Sequence, residues 1–391
     1  MHSLSRLTAA GTILLGTLLL GACTPQVSTT GPGAGAQQGN VDPTQSVKLA
    51  LMVPLSSQQK SAAQLGQALA NAAQMAMKEI NDPLMTLSVY DTGGDPNKAR
   101  AVAQRAVQEQ AKLIIGPLLG SSTKAVAQPA AQGNIKVISF STDTTSAGDP
   151  VFLSGFIPEI AAQRITGYAR AKGYDRVAVF YPQTAYGSQA INGARSSGGA
   201  AIVLASEYAR TNEGIPPAAA QFAKDAKAAG ARAVLIAESG QALKFVGGLM
   251  QQNGVSGRNV KFLGLGEWNS RATLEAKQIK GGWFAAPDPR ALRAFVDKYK
   301  ANYGSVPPSL AVLSYDAVKI AGQLLAEARA GGNRDPFSTA ALTRGGGFNG
   351  AVGPISFNPN GIGTRGMAVL EVGNGRFTTI DPAPVRLGAG S

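Results

Sequence analysis

Short apolar runs alternate with helix-period segments along most of this 391-residue chain, and that alternation leaves few architectures open. The run 47–53 (VKLALMV) has strand length and stops at Pro54. Leu65, Leu69, Ala72, Ala76 and Ile80 then recur at spacings of three and four, which predicts an amphipathic helix ended by Asn81-Asp82-Pro83. Strands are expected at 87–90, 111–115 and 135–139, with helices over 99–107 and from Ser122. The pattern restarts with strands at 176–181, 201–206, 231–237, 260–265 and 282–285. Helices are expected from Ala185 and over 218–229, 240–252, 291–303 and 310–330. A faint internal repeat, 104–116 and 222–237, gives helix, turn and apolar strand twice. Only 351–380 reads as short strands with turns. Strands separated by helices imply parallel sheets covered on both faces, and two such doubly wound sheets would face each other across a cleft. In such folds ligands sit beyond the C-terminal ends of the strands.

The N-terminus carries a different kind of signal. Residues 7–22 (LTAAGTILLGTLLLGA) hold no charge, but a spanning helix needs about 20 apolar residues, so the stretch reads as the core of a signal peptide over 1–22. It ends Leu20-Gly21-Ala22-Cys23, which resembles the bacterial lipobox and implies a lipidated Cys23. Each buried CH₂ of an acyl chain adds about 0.8 kcal/mol of membrane affinity, so several chains anchor a protein firmly. Thr24 after the Cys implies, by resemblance to lipoprotein sorting, the outer membrane facing the periplasm. Residues 24–46 are Gly, Pro, Ser, Thr and Gln with almost no charge, and read as a disordered tether.

Composition removes several function classes. The chain has one His, His2, and one Cys, both in the first 23 residues. A mature body without imidazole or thiol excludes Ser-His-Asp and Cys-His catalysis, His- or Cys-ligated zinc, and disulfides. A catalytic reading would need paired carboxylates, and Asp143 with Glu267 is the one pair that the pattern brings near one cleft. The expectation is no enzyme, no cofactor and no metal. The formal charge is +13, yet aromatics are 6%, no run of five Lys/Arg occurs, and no nucleic-acid-reading motif is present. A basic surface facing anionic envelope material fits better than nucleic acid.

The loops after the strands carry the candidate chemistry. Pro54-Leu55-Ser56-Ser57 follows the first strand, Gly120-Ser121-Ser122-Thr123 opens a helix after the third, and Ser139-Phe140-Ser141-Thr142-Asp143 follows the fourth. A helix start favours an anion such as a carboxylate, and a lone Ser there could equally be a cap.

From 47 to 380 the chain resembles the type I periplasmic binding proteins of the leucine/isoleucine/valine branch. The resemblance rests on Val53-Pro54-Leu55-Ser56, Tyr90-Asp91 with Asp95-Pro96, Ile115-Gly116 with Ser121-Ser122-Thr123, Val137-Ile138-Ser139, Ala185-Tyr186-Gly187, Glu267, Tyr315-Asp316-Ala317 and Gly353-Pro354. It implies an α/β fold of two doubly wound Rossmann-like lobes joined by a three-strand hinge. Lobe 1 is expected over 47–156 and 288–353, and lobe 2 over 157–287 and 354–391. Within the group, 50–55, 89–92 and 115–119 look most like penicillin-binding protein activators, lipoproteins that regulate peptidoglycan synthases.

In the amino-acid binders a Ser and a Thr hold the ligand carboxylate and an acid in the second lobe holds its ammonium. Ser121, Ser122 and Thr123 persist here, but the second hydroxyl falls on or beside Asp143. Glu267 or Glu238 would serve as the ammonium-binding acid. Tyr186 and Trp268 would face the cleft or else pack in the core. Ser56, Ser139, Ser141 and Thr142 complete the expected wall. Asp316 reads as a helix-start residue, and Asp91 and Asp95 as turn residues. Two functions follow: activation of a penicillin-binding protein by contact, or, alternatively, the amino-acid-binding component of an ABC transporter that meets its permease.

Overall fold

The computed structural model describes residues 41–42, 44–198 and 200–387. Cys23, the signal-like segment and most of the expected tether lie outside them. The chain runs β1 (Val47–Val53), α1 (Lys60–Ile80), β2 (Met85–Asp91), α2 (Pro96–Gln108), β3 (Leu113–Ile115), α3 (Gly120–Gln132), β4 (Lys136–Ser139) and β5 (Val151–Leu153). These five strands form one parallel sheet in the order β2-β1-β3-β4-β5. Apolar residues line both of its faces, as expected where helices cover both sides. Asp95 caps α2 by accepting the Lys98 N–H at 2.8 Å, with Pro96 in the first helical position.

The chain then crosses to α4 (Pro158–Ala171), β6 (Arg176–Pro182), α5 (Ala185–Ser196), β7 (Ala201–Tyr208), α6 (Ile215–Ala228), β8 (Ala233–Ile236), α7 (Gly240–Gln252), β9 (Lys261–Gly264), α8 (Arg271–Glu275) and β10 (Trp283–Ala286). A second crossing returns it to α9 (Pro289–Tyr303), α10 (Val312–Gly331), α11 (Thr339–Leu342) and a small antiparallel sheet of β11 (Phe348–Gly350), β12 (Gly353–Phe357) and β13 (Gly363–Arg365). After a third crossing, β14 (Ala368–Val372) and β15 (Phe377–Asp381) complete a seven-stranded sheet in the order β15-β14-β10-β9-β8-β6-β7. The fold is thus two α/β lobes joined by three crossings.

Three expectations need correction. The segment after 353 does not pass straight to the second lobe. Ile355 and Phe357 pack in the first lobe's core, Phe357 edge-on to Phe152 at 5.9 Å, so the third crossing falls at Gly366-Met367. Asp316 does not start a helix. It is the fifth residue of α10 and is buried, where Arg365 Nη1 meets its Oδ2 at 2.6 Å and the Ala351 N–H meets its Oδ1 at 2.7 Å. Finally, α4 and β5 went unread in the sequence. Most of the buried face of α4 is small (Ala161, Ala162, Thr166, Ala169), which mutes its periodicity.

Among the described residues, no helix is long and apolar enough to cross a membrane, and no group of three or more His, Cys, Asp or Glu could hold a metal.

Candidate functional site

In each lobe the candidate loops leave the C-terminal ends of the parallel strands, the end at which such folds bind ligands. One contact shows how the walls meet. Gln189, on α5 of the second lobe, donates its Nε2 to the carbonyl of Thr142, in the loop after β4 of the first, at 2.8 Å.

On the first wall most of the expected hydroxyls hold the loops. Thr123 and Ser139 share a buried hydroxyl contact of 2.9 Å, and Ser139 Oγ donates to the Pro117 carbonyl. Ser139 also accepts the Ser141 N–H, and Ser141 Oγ accepts the Asp143 N–H. This relay fixes 139–143 as a rigid rung. Ser56 is tied inward too: its N–H and hydroxyl donate to the two carboxylate oxygens of Asp91, and Lys98 reaches both residues. Partial burial would raise the Asp91 pKa, but the Lys98 ammonium and the Ser56 and Gly93 hydrogen bonds outweigh it and hold the carboxyl far below the usual range. Ser122 is buried and its Oγ has no hydrogen-bond partner. Ser56, Ser121, Thr142 and Asp143 are the candidates on this wall that reach solvent.

Asp143 lies against the start of α3. A Cβ placed on Gly120 would fall 2.9 Å from Asp143 Oδ2, so glycine makes room for the carboxylate. Thr145 donates its N–H and hydroxyl to Oδ1, and Lys124 Nζ is 2.9 Å from Oδ2. The Thr145 bonds first, then Lys124, lower the Asp143 pKa against a smaller opposing effect of burial.

The second wall separates the two acids that the sequence left open. Glu238 is 2% exposed; Arg210 grips it with two N–H bonds of 2.8 and 3.0 Å, and Tyr208 donates at 2.7 Å. Its oxygens are occupied. Glu267 is accessible, and its side-chain partner is the Tyr186 hydroxyl at 2.7 Å. Glu267 is exposed and Tyr186 half-buried, and the protein mass around the pair partly desolvates both groups. The desolvation raises the pKa of both groups, with the Tyr186 bond partly opposing the rise at Glu267. No cation pairs with Glu267 among the described residues. Trp268 departs from the cleft-facing expectation: it is fully buried in the second lobe's core beside Phe284, its indole filling the space left by Gly264.

Sequence reasoning missed Gln189, Lys124 and Arg210, and gave Gly120 no role beyond its place in the loop. Gln189 follows Tyr186 by one helical turn in Ala185-Tyr186-Gly187-Ser188-Gln189, which is the one local signal for it. Half-open hollows exist elsewhere, one beside Phe295 and Tyr315 and one beside Tyr168 of α4, and no residue of the two walls lines either.

The model of the family described as periplasmic binding protein matches residues 46–376. A solved structure from Rhodospirillum rubrum, assigned to branched-chain amino acid ABC transport, superposes with a TM-score of 0.74 at 18% identity, covering 86% of this chain and 100% of that one. The branched-chain amino acid transporter substrate binding protein LivJ from Streptococcus pneumoniae, in complex with isoleucine, gives 0.59 at 18% identity with the same coverage. An ABC transporter solute binding protein from Rhodopseudomonas palustris, in complex with 3,4-dihydroxybenzoic acid, gives 0.61 at 20% identity, covering 88% and 98%. No curated protein matches the chain.

Proposed function

The chain belongs to the periplasmic binding protein family, and from that premise we propose that it captures a small amine-bearing solute in the crevice and hands it to an ABC permease. Of the two functions expected from the sequence, the likeness to transporter binding proteins supports this one. Activation of a peptidoglycan synthase has no counterpart among those neighbours.

The observation that carries the proposal is Glu267. A carboxylate in a partly desolvated crevice, held by one tyrosine hydroxyl and, among the described residues, by no cation, is stabilised by a ligand that brings a positive charge. Tyr186 fixes its orientation, and the Gln189 bond to Thr142 brings the opposite wall near. Lobe closure about the three crossings would bury the ligand, in the way hinged α/β pairs enclose solutes. An acyl chain on Cys23, as the lipobox resemblance implies, would hold this body at the envelope.

The test is retention. Immobilised protein is exposed to envelope extract, and both the retained small molecules and the retained proteins are identified by mass spectrometry. The proposal expects an amine-bearing solute, retained by wild type and lost from Glu267→Gln. Retention of a peptidoglycan synthase with no solute would overturn it.

A further inference from the structure

We propose that Asp143 makes this crevice selective for amines that carry no carboxylate. This rests on the reading that the crevice captures an amine, and it adds the class of solute.

The start of α3 is the place on the first wall suited to an anion, since the free N–H groups and the dipole of a helix N-terminus favour negative charge. In this chain the protein's own carboxylate lies against it. Asp143 Oδ2 is 2.9 Å from where a Gly120 side chain would begin, so the space beside the first turn is filled. Asp143 is not free to swing away. Its N–H is held by Ser141, Oδ1 by Thr145 and Oδ2 by Lys124. A ligand carboxylate brought to this turn would meet a fixed like charge at close range.

The remaining charges give the same answer independently. Lys98 pairs with Asp91 at 2.6 Å, Lys124 with Asp143 at 2.9 Å and Arg210 with Glu238 at 2.8 Å. These three cations therefore each have their own carboxylate, and among the described residues Glu267 has the Tyr186 hydroxyl and no ion pair. A monocation balances such a set. A zwitterion balances Glu267 and then brings an anion that none of these three paired cations is free to meet. The Gln189–Thr142 bond joins the two walls close to both ends, because Thr142 precedes Asp143 and Tyr186 stands one turn from Gln189.

The experiment is calorimetric titration with leucine and leucinamide, which share side chain and ammonium and differ only in the carboxylate. Wild type, Asp143→Thr, Asp143→Asn and Glu267→Gln are compared, each checked for an unchanged melting transition. Leucinamide is expected to bind wild type at least tenfold more tightly than leucine. Asp143→Thr and Asp143→Asn are expected to close that gap by gaining leucine affinity. Equal binding of both probes to wild type, with each weakened in Glu267→Gln, would overturn the selectivity while leaving amine capture standing. A gap that persists unchanged in both Asp143 variants would also overturn it. Binding of neither probe by any form would overturn the selectivity and the capture reading together.

Discussion

Asp316 and Arg365 form an ion pair of 2.6 Å with side chains 1% and 3% exposed, and Arg365 also donates to the Ser154 carbonyl at 2.6 Å. Asp316 belongs to a first-lobe helix, Ser154 to the first crossing, and Arg365 to the end of the strand entering the third. One guanidinium thus ties two of the three crossings to the first lobe. Breaking a buried pair by removing one partner leaves a charge uncompensated, and the expected cost is about 3–5 kcal/mol. Asp316→Asn and Arg365→Met should each lower the urea midpoint accordingly. The double variant Asp316→Leu/Arg365→Met should recover part of the loss, because no buried charge remains.

Trp268→Ala should behave as a core truncation. The indole is fully buried against Phe284, so a loss of about 3–5 kcal/mol is expected. Solute retained per folded molecule should not change, and a selective loss of binding in a stable Trp268→Ala protein would place the indole in the crevice after all.

The crevice should show a pH dependence of definite sign. Desolvation raises the Glu267 pKa above the ordinary glutamate value of about 4.3. A cationic ligand needs the ionised form. Affinity should therefore be full well above the raised pKa and fall as pH drops through it, at a higher pH than an exposed glutamate would cause. In Glu267→Gln the affinity is low and this dependence is absent. A binding curve flat from neutral down to the ordinary glutamate range would contradict the assignment.

Asp91 contributes to stability with the opposite sign of shift. Its folded pKa lies below the unfolded value of about 3.9, so its contribution is present above that value and is lost as pH falls through the depressed one. Asp91→Asn should cost about 2 kcal/mol at neutral pH, the size of a hydrogen bond or two to a charged group, and should flatten the acid limb of the unfolding curve.

The alternation of strand and helix was legible because several parallel strands, such as β3, β8 and most of β1, are continuous apolar runs and helices such as α1, α2 and α10 bury apolar residues at spacings of three and four. What escaped detection had weak local signals. Much of the buried face of α4 is small (Ala161, Ala162, Thr166, Ala169), β5 has three residues, and the third crossing is set by Phe357 meeting a ring more than two hundred positions earlier. The site was legible in part. Asp143 and Glu267 stood out as acids in loops beyond strands. That Glu238 is engaged depends on Arg210, 28 positions away, and that Trp268 turns inward depends on the space over Gly264. Neither depends on a spacing rule.

The most direct test of amine capture is a calorimetric titration of the purified protein with leucinamide, set against the same titration of Glu267→Gln. Capture through this carboxylate predicts saturable one-site binding in wild type that weakens at least tenfold in the variant, with both proteins melting alike. Superimposable isotherms from the two proteins would contradict it.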